Sequence, residues 1–243
     1  MGSLAGSARA MDDSFPFQPG ERLTFRLRWS FVPAGEAILE VLPLETLNGQ
    51  PVLHFVMTVK TNAFVDAFYK VRDRIDAYTD AQMTHTVLYK KHQHEGNTRR
   101  DVVVTFDWEN NQAHYAAGTE KRDPIAILPG SFDPLSIFYR TRMFDFRKNR
   151  QFEHPLTDGK KSVIAKATVV KREKIRLPSG TTDVYVLEPD LKHVGGVFKK
   201  SRNARIRLWL TADDRKILVR IKSKVAVGSF VGELISAEGL RED

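Results

Sequence analysis

The sequence predicts a mainly β protein, a curved antiparallel meander in the form of a half-barrel or open barrel, with one principal helix at its centre. Three observations predict it. At least eight segments alternate apolar and polar residues, the period of a strand with one buried face. Turn-forming pairs punctuate them, among them Asn48-Gly49 and Gly195-Gly196. One internal segment, Asp133–Phe144, does not alternate.

The elements follow in order. Residues 1–19 read as a disordered lead-in, rich in small residues and closing on Phe15-Pro16-Phe17-Gln18-Pro19. Leu23, Phe25, Leu27, Trp29 and Phe31 then alternate with Thr24, Arg26, Arg28 and Ser30, which makes a first strand. Pro33-Ala34-Gly35 turns the chain into a second near Glu36–Leu44, and a third follows near Val52–Lys60. Asn62 is placed to cap a short helix carrying Phe64, Ala67 and Phe68. Further strands are expected near Arg72–Tyr78, Thr84–Gln93, Arg99–Trp108 and Gln112–Ala116. Asp133-Pro134 supplies a cap and a first-turn proline for the principal helix, whose wide apolar face predicts burial. Strands resume near Ser162–Lys171, Thr182–Glu188, Asn203–Thr211, Lys216–Lys224 and Val227–Ile235. The domain so defined spans 20–236, with a tail over 237–243. A sheet of this kind must close or curl to bury its apolar face, and the central helix is its natural filler.

Composition narrows the function. The 243 residues contain no cysteine, which excludes disulfides, thiolate metal sites and a cysteine nucleophile. No stretch approaches the about 18 apolar residues of a spanning helix, so the chain is read as not membrane-spanning. Leu4–Ala10, with Ala8-x-Ala10, resembles the end of a signal peptide, and Met1-Gly2-Ser3 reads as an appended remnant ahead of it. That points to an exported, periplasmic protein. Residues 199–224 hold ten cations against two anions, a net +8 equal to the net charge of the whole chain. Such a concentration suits acidic or phosphate-bearing partners, and it also serves as a solvated face.

The hairpin Arg202–Lys224 carries that charge. An even loop centred on Asp213-Asp214 sets Leu208 opposite Val219 and Ile206 opposite Ile221. It also sets Arg207 opposite Arg220 and Arg205 opposite Lys222, like charges that repel unless an anion or a neighbouring carboxylate intervenes. Trp209 falls on the same cationic face, either exposed or covered with the cations reaching its edge.

Several stretches taken together resemble a bacterial exported-protein family known as domain of unknown function 3108. They are Gly20–Phe25 through Trp29, Ala34–Ala37, Phe68–Asp73, Asp133–Arg140, Leu208–Asp214 and Gly228–Phe230, in the family's order. The resemblance implies export to the cell envelope and a β-rich fold. It implies no activity, and no catalytic residue carries over.

Reactive motifs are few. His92 and His94 lie two apart, on one face of a strand, as zinc or copper ligands do, with His85 nearby. Only Glu95 offers a further local ligand, and Lys90, Lys91, Arg99 and Arg100 oppose a divalent cation; the alternative is a polar strand end. Gly130-Ser131 and Ser179-Gly180 are turn residues rather than a nucleophile elbow. Asp213-Asp214 reads as turn chemistry, and Asp73, Asp76 and Asp80 lack the spacing of a calcium loop. Gly195-Gly196 ahead of Lys199-Lys200 offers an anion nest without the strand-to-helix context of a phosphate loop. Basic residues beside Trp209 and Tyr185 match no nucleic-acid signature, so no nucleic acid is expected.

The reading is a non-enzymatic envelope protein without cofactor. It binds an anionic amphiphile, lipid or lipoprotein, through a basic sheet face and an apolar cavity. Arg205, Arg207, Arg220 and Lys222 are placed at the head group, and Trp209, Phe138 and Met143 near the chain. The alternative is an envelope scaffold docking an acidic protein or glycan.

Overall fold

Period-two alternation builds one sheet. The computed structural model describes residues 14–178, 180–190, 205–225 and 228–242. Its strands are β1 (Arg22–Trp29), β2 (Val32–Leu47), β3 (Gln50–Thr61), β4 (Arg72–Asp80), β5 (Thr86–Glu95), β6 (Thr98–Asp107), β7 (Gln112–Ala117), β8 (Glu120–Lys121), β9 (Ile125–Ala126), β10 (Gln151–Thr157), β11 (Ser162–Leu177), β12 (Gly180–Pro189), β13 (Arg205–Thr211), β14 (Leu218–Val225) and β15 (Gly228–Glu238). The order across the sheet is β10 to β15, then β1 to β8, with β9 beside β7. Every named-strand pairing is antiparallel. The one pairing along that path between strands distant in sequence joins β15 to β1.

The sheet curls without closing. Segment 131–133 crosses between its two halves: Thr86 N–H donates to Ser131 O, Phe132 N–H to Pro155 O, and Thr157 N–H to Phe132 O. A single parallel bridge, Phe132 to Leu156, is the only ladder contact there among the described residues. Asp133 secures the segment. Its buried carboxylate accepts from Thr86 Oγ1 and from the backbone N–H of Leu135 and Ser136, which lets it start a helix from inside the core.

The single principal helix requires correction. Among the described residues there are two short helices, α1 (Ala63–Asp66) and α2 (Ser136–Arg142), and α2 covers only the middle of Asp133–Phe144. Asn62 caps α1 as expected, its side chain accepting from Val65 N–H. The expected filler is therefore too small, and the N-terminal segment completes it. Phe15 and Phe17, placed by composition in the lead-in, are buried. Phe17 meets Phe55 at 5.5 Å and Tyr139 at 5.3 Å edge-on, and Tyr139 stacks on Phe55 at 4.0 Å. A seven-residue helix leaves room that only large apolar side chains fill, so these rings are drawn from water into the core. The C-terminal end is tied to the same segment, Arg241 Nη1 donating to Phe15 O. The export pattern at Ala8-x-Ala10 and the pair Gly195-Gly196 lie outside the described residues.

Arg142 locks this arrangement. It is fully buried, as is Glu21, and its guanidinium donates to both Glu21 oxygens, to Pro16 O and to Arg215 O. Phe17 and Tyr139 lie within 6 Å of the guanidinium carbon. One side chain on α2 thus joins the N-terminal segment, β1's approach and the β13–β14 turn.

Candidate functional site

The expected register of the basic hairpin is off by two residues. Arg207 pairs with Lys222, Arg205 with Lys224, Leu208 with Ile221 and Ile206 with Ser223. The turn is longer than a loop centred on Asp213-Asp214 requires. Asp213 accepts from Thr211 Oγ1, Lys216 N–H and Arg215, and Lys216 takes a positive φ of 48°. A bulge between Trp209 and Leu210 absorbs the remainder. Like charges still face each other across β13 and β14, with different partners.

Carboxylates from the neighbouring strands meet part of this charge. Glu188 on β12 lies 3.1 Å from Arg205 Nε through one oxygen and 3.0 Å from Arg207 Nε through the other. Glu233 on β15 accepts from Arg220 at 2.7 Å. Trp209 Nε1 donates to Glu173 on β11 at 2.9 Å, and Arg220 lies over the indole at 5.9 Å. Trp209 is therefore covered, the second of the two arrangements the sequence allows. A hydrogen bond from Lys171, then that from Trp209, holds the Glu173 carboxyl below the usual carboxylate range.

The registers connect these residues into a row. Cross-strand partners run Arg220, Glu233, Arg26, Glu36, Lys60, and so alternate in sign over five strands. Toward the start of β15 and the β1–β2 turn the balance shifts. The next row runs Arg207, Lys222, Val231, Arg28; Glu188 reaches Arg207 and Glu233 lies 3.8 Å from Arg28, but no acid stands in the row itself. Lys222 and Lys224 have no carboxylate within ion-pair distance among the described residues. The opposite parity of the same strands carries Phe230 paired with Trp29, their rings stacked at 6.3 Å and both about half exposed. Cations on one face and an aromatic pair on the other thus meet at one rim.

The other predicted residues lie apart from this rim. Phe138 on α2 packs against both apolar clusters, edge-on to Tyr139 at 5.3 Å. Met143 follows α2 and lines a cleft of about 340 Å³ with Pro16, Asp214, Arg215 and Lys216, at the opposite end of β13 and β14. His92 shares a 2.7 Å hydrogen bond with Asp101, and His94 Nε2 sits 3.1 Å from Arg99. No three potential metal ligands gather among the described residues. Glu233 and Glu173 are not legible from the hairpin itself, because they stand on β15 and on β11, two strands away from β13. Nor is the Trp29–Phe230 pair, because the order of strands, which brings β15 beside β1, is not written in either strand. The signal within reach was Trp29-Ser30-Phe31, aromatics carried to the very tip of a hairpin.

One solved structure shares the architecture. A β-barrel-like protein of domain of unknown function DUF1849 from Brucella abortus aligns with a TM-score of 0.62 at 12% identity, over 93% of this chain and 99% of that one. A protein of Parabacteroides distasonis provisionally named a lipoprotein aligns with a TM-score of 0.37 at 14% identity, over 92% and 97%. At such identities the first likeness concerns the fold alone. No protein among curated sequences matches the chain. No helix among the described residues is long and apolar enough to cross a membrane. The sequence model of the family described as "Protein of unknown function (DUF3108)" matches residues 24–235, and with its segments in order along one curled sheet the chain belongs to that family.

Proposed function

We propose that this chain is an exported, non-enzymatic protein of the bacterial cell envelope that binds an anionic amphiphile, a lipid or a lipoprotein. One observation carries the reading: the cationic row of Arg207, Lys222 and Arg28, in which Lys222 has no carboxylate within ion-pair distance among the described residues, runs beside the exposed Trp29–Phe230 pair at the same rim. A head group with negative charge relieves the repulsion between Arg207 and Lys222, and Arg205 and Arg220 add to the field. The apolar part of the ligand lies against Trp29 and Phe230. Phe138, Met143 and the covered Trp209 take part only through a chain long enough to pass the rim into the curled sheet.

The second reading, an adaptor docking an acidic protein or glycan, is favoured by the rings of Phe17, Phe55 and Tyr139 that occupy the interior beside α2. Lipid content separates the two. Protein purified from its envelope without detergent is extracted with organic solvent and the extract analysed by mass spectrometry. A carrier releases a stoichiometric anionic lipid; an adaptor releases none. Changing Arg207 and Lys222 together to Gln leaves the protein folded with a melting temperature close to the unaltered protein's, the lost Arg207–Glu188 pair offset by the relieved repulsion, and weakens capture of monomeric lysophosphatidylglycerol, less so at high salt. Unfolding of that variant with capture intact would show the two cations to be structural.

A further inference from the structure

We infer that the end of the curled sheet carrying the β1–β2 turn, α1 and the start of β15 docks onto the surface of an anionic phospholipid bilayer. The inference rests on the amphiphile reading and adds the surface from which the ligand is met. It starts from the placement of aromatic residues. Among the described residues, every large aromatic side chain that is exposed lies at this end: Trp29, Phe31, Phe64, Phe68, Tyr69 and Phe230. Phe31 is 97% exposed; Phe68 is 79% exposed and touches only the edge of Phe64, itself exposed, at 5.7 Å. Water penalises such rings, and a clustered exposed apolar patch marks an interaction surface.

The arrangement selects the occupant. The rings stand on separate tips rather than lining a groove, which suits a soft plane better than a shaped partner. The tips are held in fixed relation. Asn62 Nδ2 donates to Pro33 O and Asn62 N–H to Ala34 O, which ties α1 to the β1–β2 hairpin. Ser30 N–H donates to Ser229 O, which ties that hairpin to the start of β15. Within α1's loop Arg72 pairs with Asp66 at 2.5 Å, and Thr61 also bonds that carboxylate. Behind the rings stand exposed Lys70, Lys222 and Lys224, with no carboxylate in ion-pair distance among the described residues, and Arg28, whose guanidinium lies 3.8 Å from Glu233. Aromatics at the head-group level with cations just above them match the order of an anionic membrane interface.

Vesicle co-sedimentation tests this with the intact chain. The protein is expected to sediment with vesicles of equimolar phosphatidylglycerol and phosphatidylcholine, to stay in solution with phosphatidylcholine alone, and to be released by salt. Changing Phe31 and Phe68 together to Ser is expected to lower partitioning about tenfold or more while the melting temperature stays the same, since both rings are exposed. Capture of monomeric lysophosphatidylglycerol is expected to persist in that variant. Vesicle binding equal to the unaltered protein's, or no vesicle binding by either, overturns the docking surface. A dimer in analytical ultracentrifugation that the double substitution dissolves also overturns it, in favour of a second copy as occupant. Loss of monomer capture with vesicle binding intact overturns the amphiphile reading and leaves the docking surface standing.

Discussion

Replacing Glu21 with Gln is expected to destabilise the protein by about 3–5 kcal/mol, as breaking one partner of a buried ion pair does. The substitution keeps the side-chain shape and removes the charge opposite Arg142. Both residues are inaccessible to solvent, so the Arg142 guanidinium stays buried and faces only neutral acceptors, the carbonyl oxygens of Pro16 and Arg215 and the new amide, with the rings of Phe17 and Tyr139. Opposite charges about 4 Å apart at an effective dielectric constant of about 20 attract by about 4 kcal/mol, which agrees with that range. For a chain of this size each kcal/mol lowers Tm by about 2–4 °C, so the loss is about 6–20 °C. Pairing Glu21→Leu with Arg142→Met removes both charges, and the remaining cost is that of two buried carbonyls left without a donor, about 1–3 kcal/mol each. Urea unfolding and thermal melts of both variants provide the measurement, together with hydrogen exchange at residues 15–21. A cost below about 1 kcal/mol for Glu21→Gln refutes the lock, as does additivity of the two single substitutions.

Other outcomes follow from particular contacts. Gly35→Ala is expected to cost about 2–4 kcal/mol in urea unfolding, because a Cβ there stands 2.1 Å from the backbone oxygen of Lys60, which cannot yield like a flexible side chain. Burial, then the nearby Arg140 charge, pushes the His154 imidazole below its ordinary 6.5. The folded state therefore resists a proton that the unfolded chain accepts, so stability is full above pH 6.5 and declines as pH falls through the lower folded value. His154→Phe, set between Phe132 and Phe144, is expected to flatten the pH dependence of unfolding between neutral and mildly acidic buffer, and an unchanged slope counts against it. Arg220→Gln gives up a pair with Glu233 whose side chains are each about a quarter exposed, and is expected to cost only about 0.5–1 kcal/mol by thermal melting, far less than Glu21→Gln.

How much of this was legible in the sequence depends on the range of the interaction. Leu23, Phe25 and Leu27 alternate with polar neighbours because one face of β1 meets the core, and a local pattern records that. Asn62 caps α1 through contacts three residues away, so the cap was legible as well. The register of β13 and β14 was not, because a bulge and an Asp213-centred turn each shift the pairing without disturbing alternation. Strand β10 went unread because Gln151–Thr157 includes Pro155 and scarcely alternates; it sits at an edge, where a missing N–H donor is tolerated. The Arg142–Glu21 pair spans 121 residues, and nothing near either residue announces the other.

The two ends of the curled sheet accordingly have opposite logic. At the end holding the β13–β14 turn, charge is turned inward and satisfied: Arg142 meets Glu21, Arg215 meets Asp213, and Arg241 ties the C-terminal end to Phe15. Aromatic rings there are interior, as with Phe17 and Tyr139. At the other end both preferences reverse, with Lys70, Lys222 and Lys224 unmatched by a carboxylate among the described residues and Phe31 and Phe68 in water. Folding alone does not favour that reversal. Exposed rings gain nothing from the native state, and Arg207 facing Lys222 opposes it by a few tenths of a kcal/mol. A surface that departs from the stability rule in both charge and hydrophobicity, at one end only, is what binding an anionic, partly apolar partner requires.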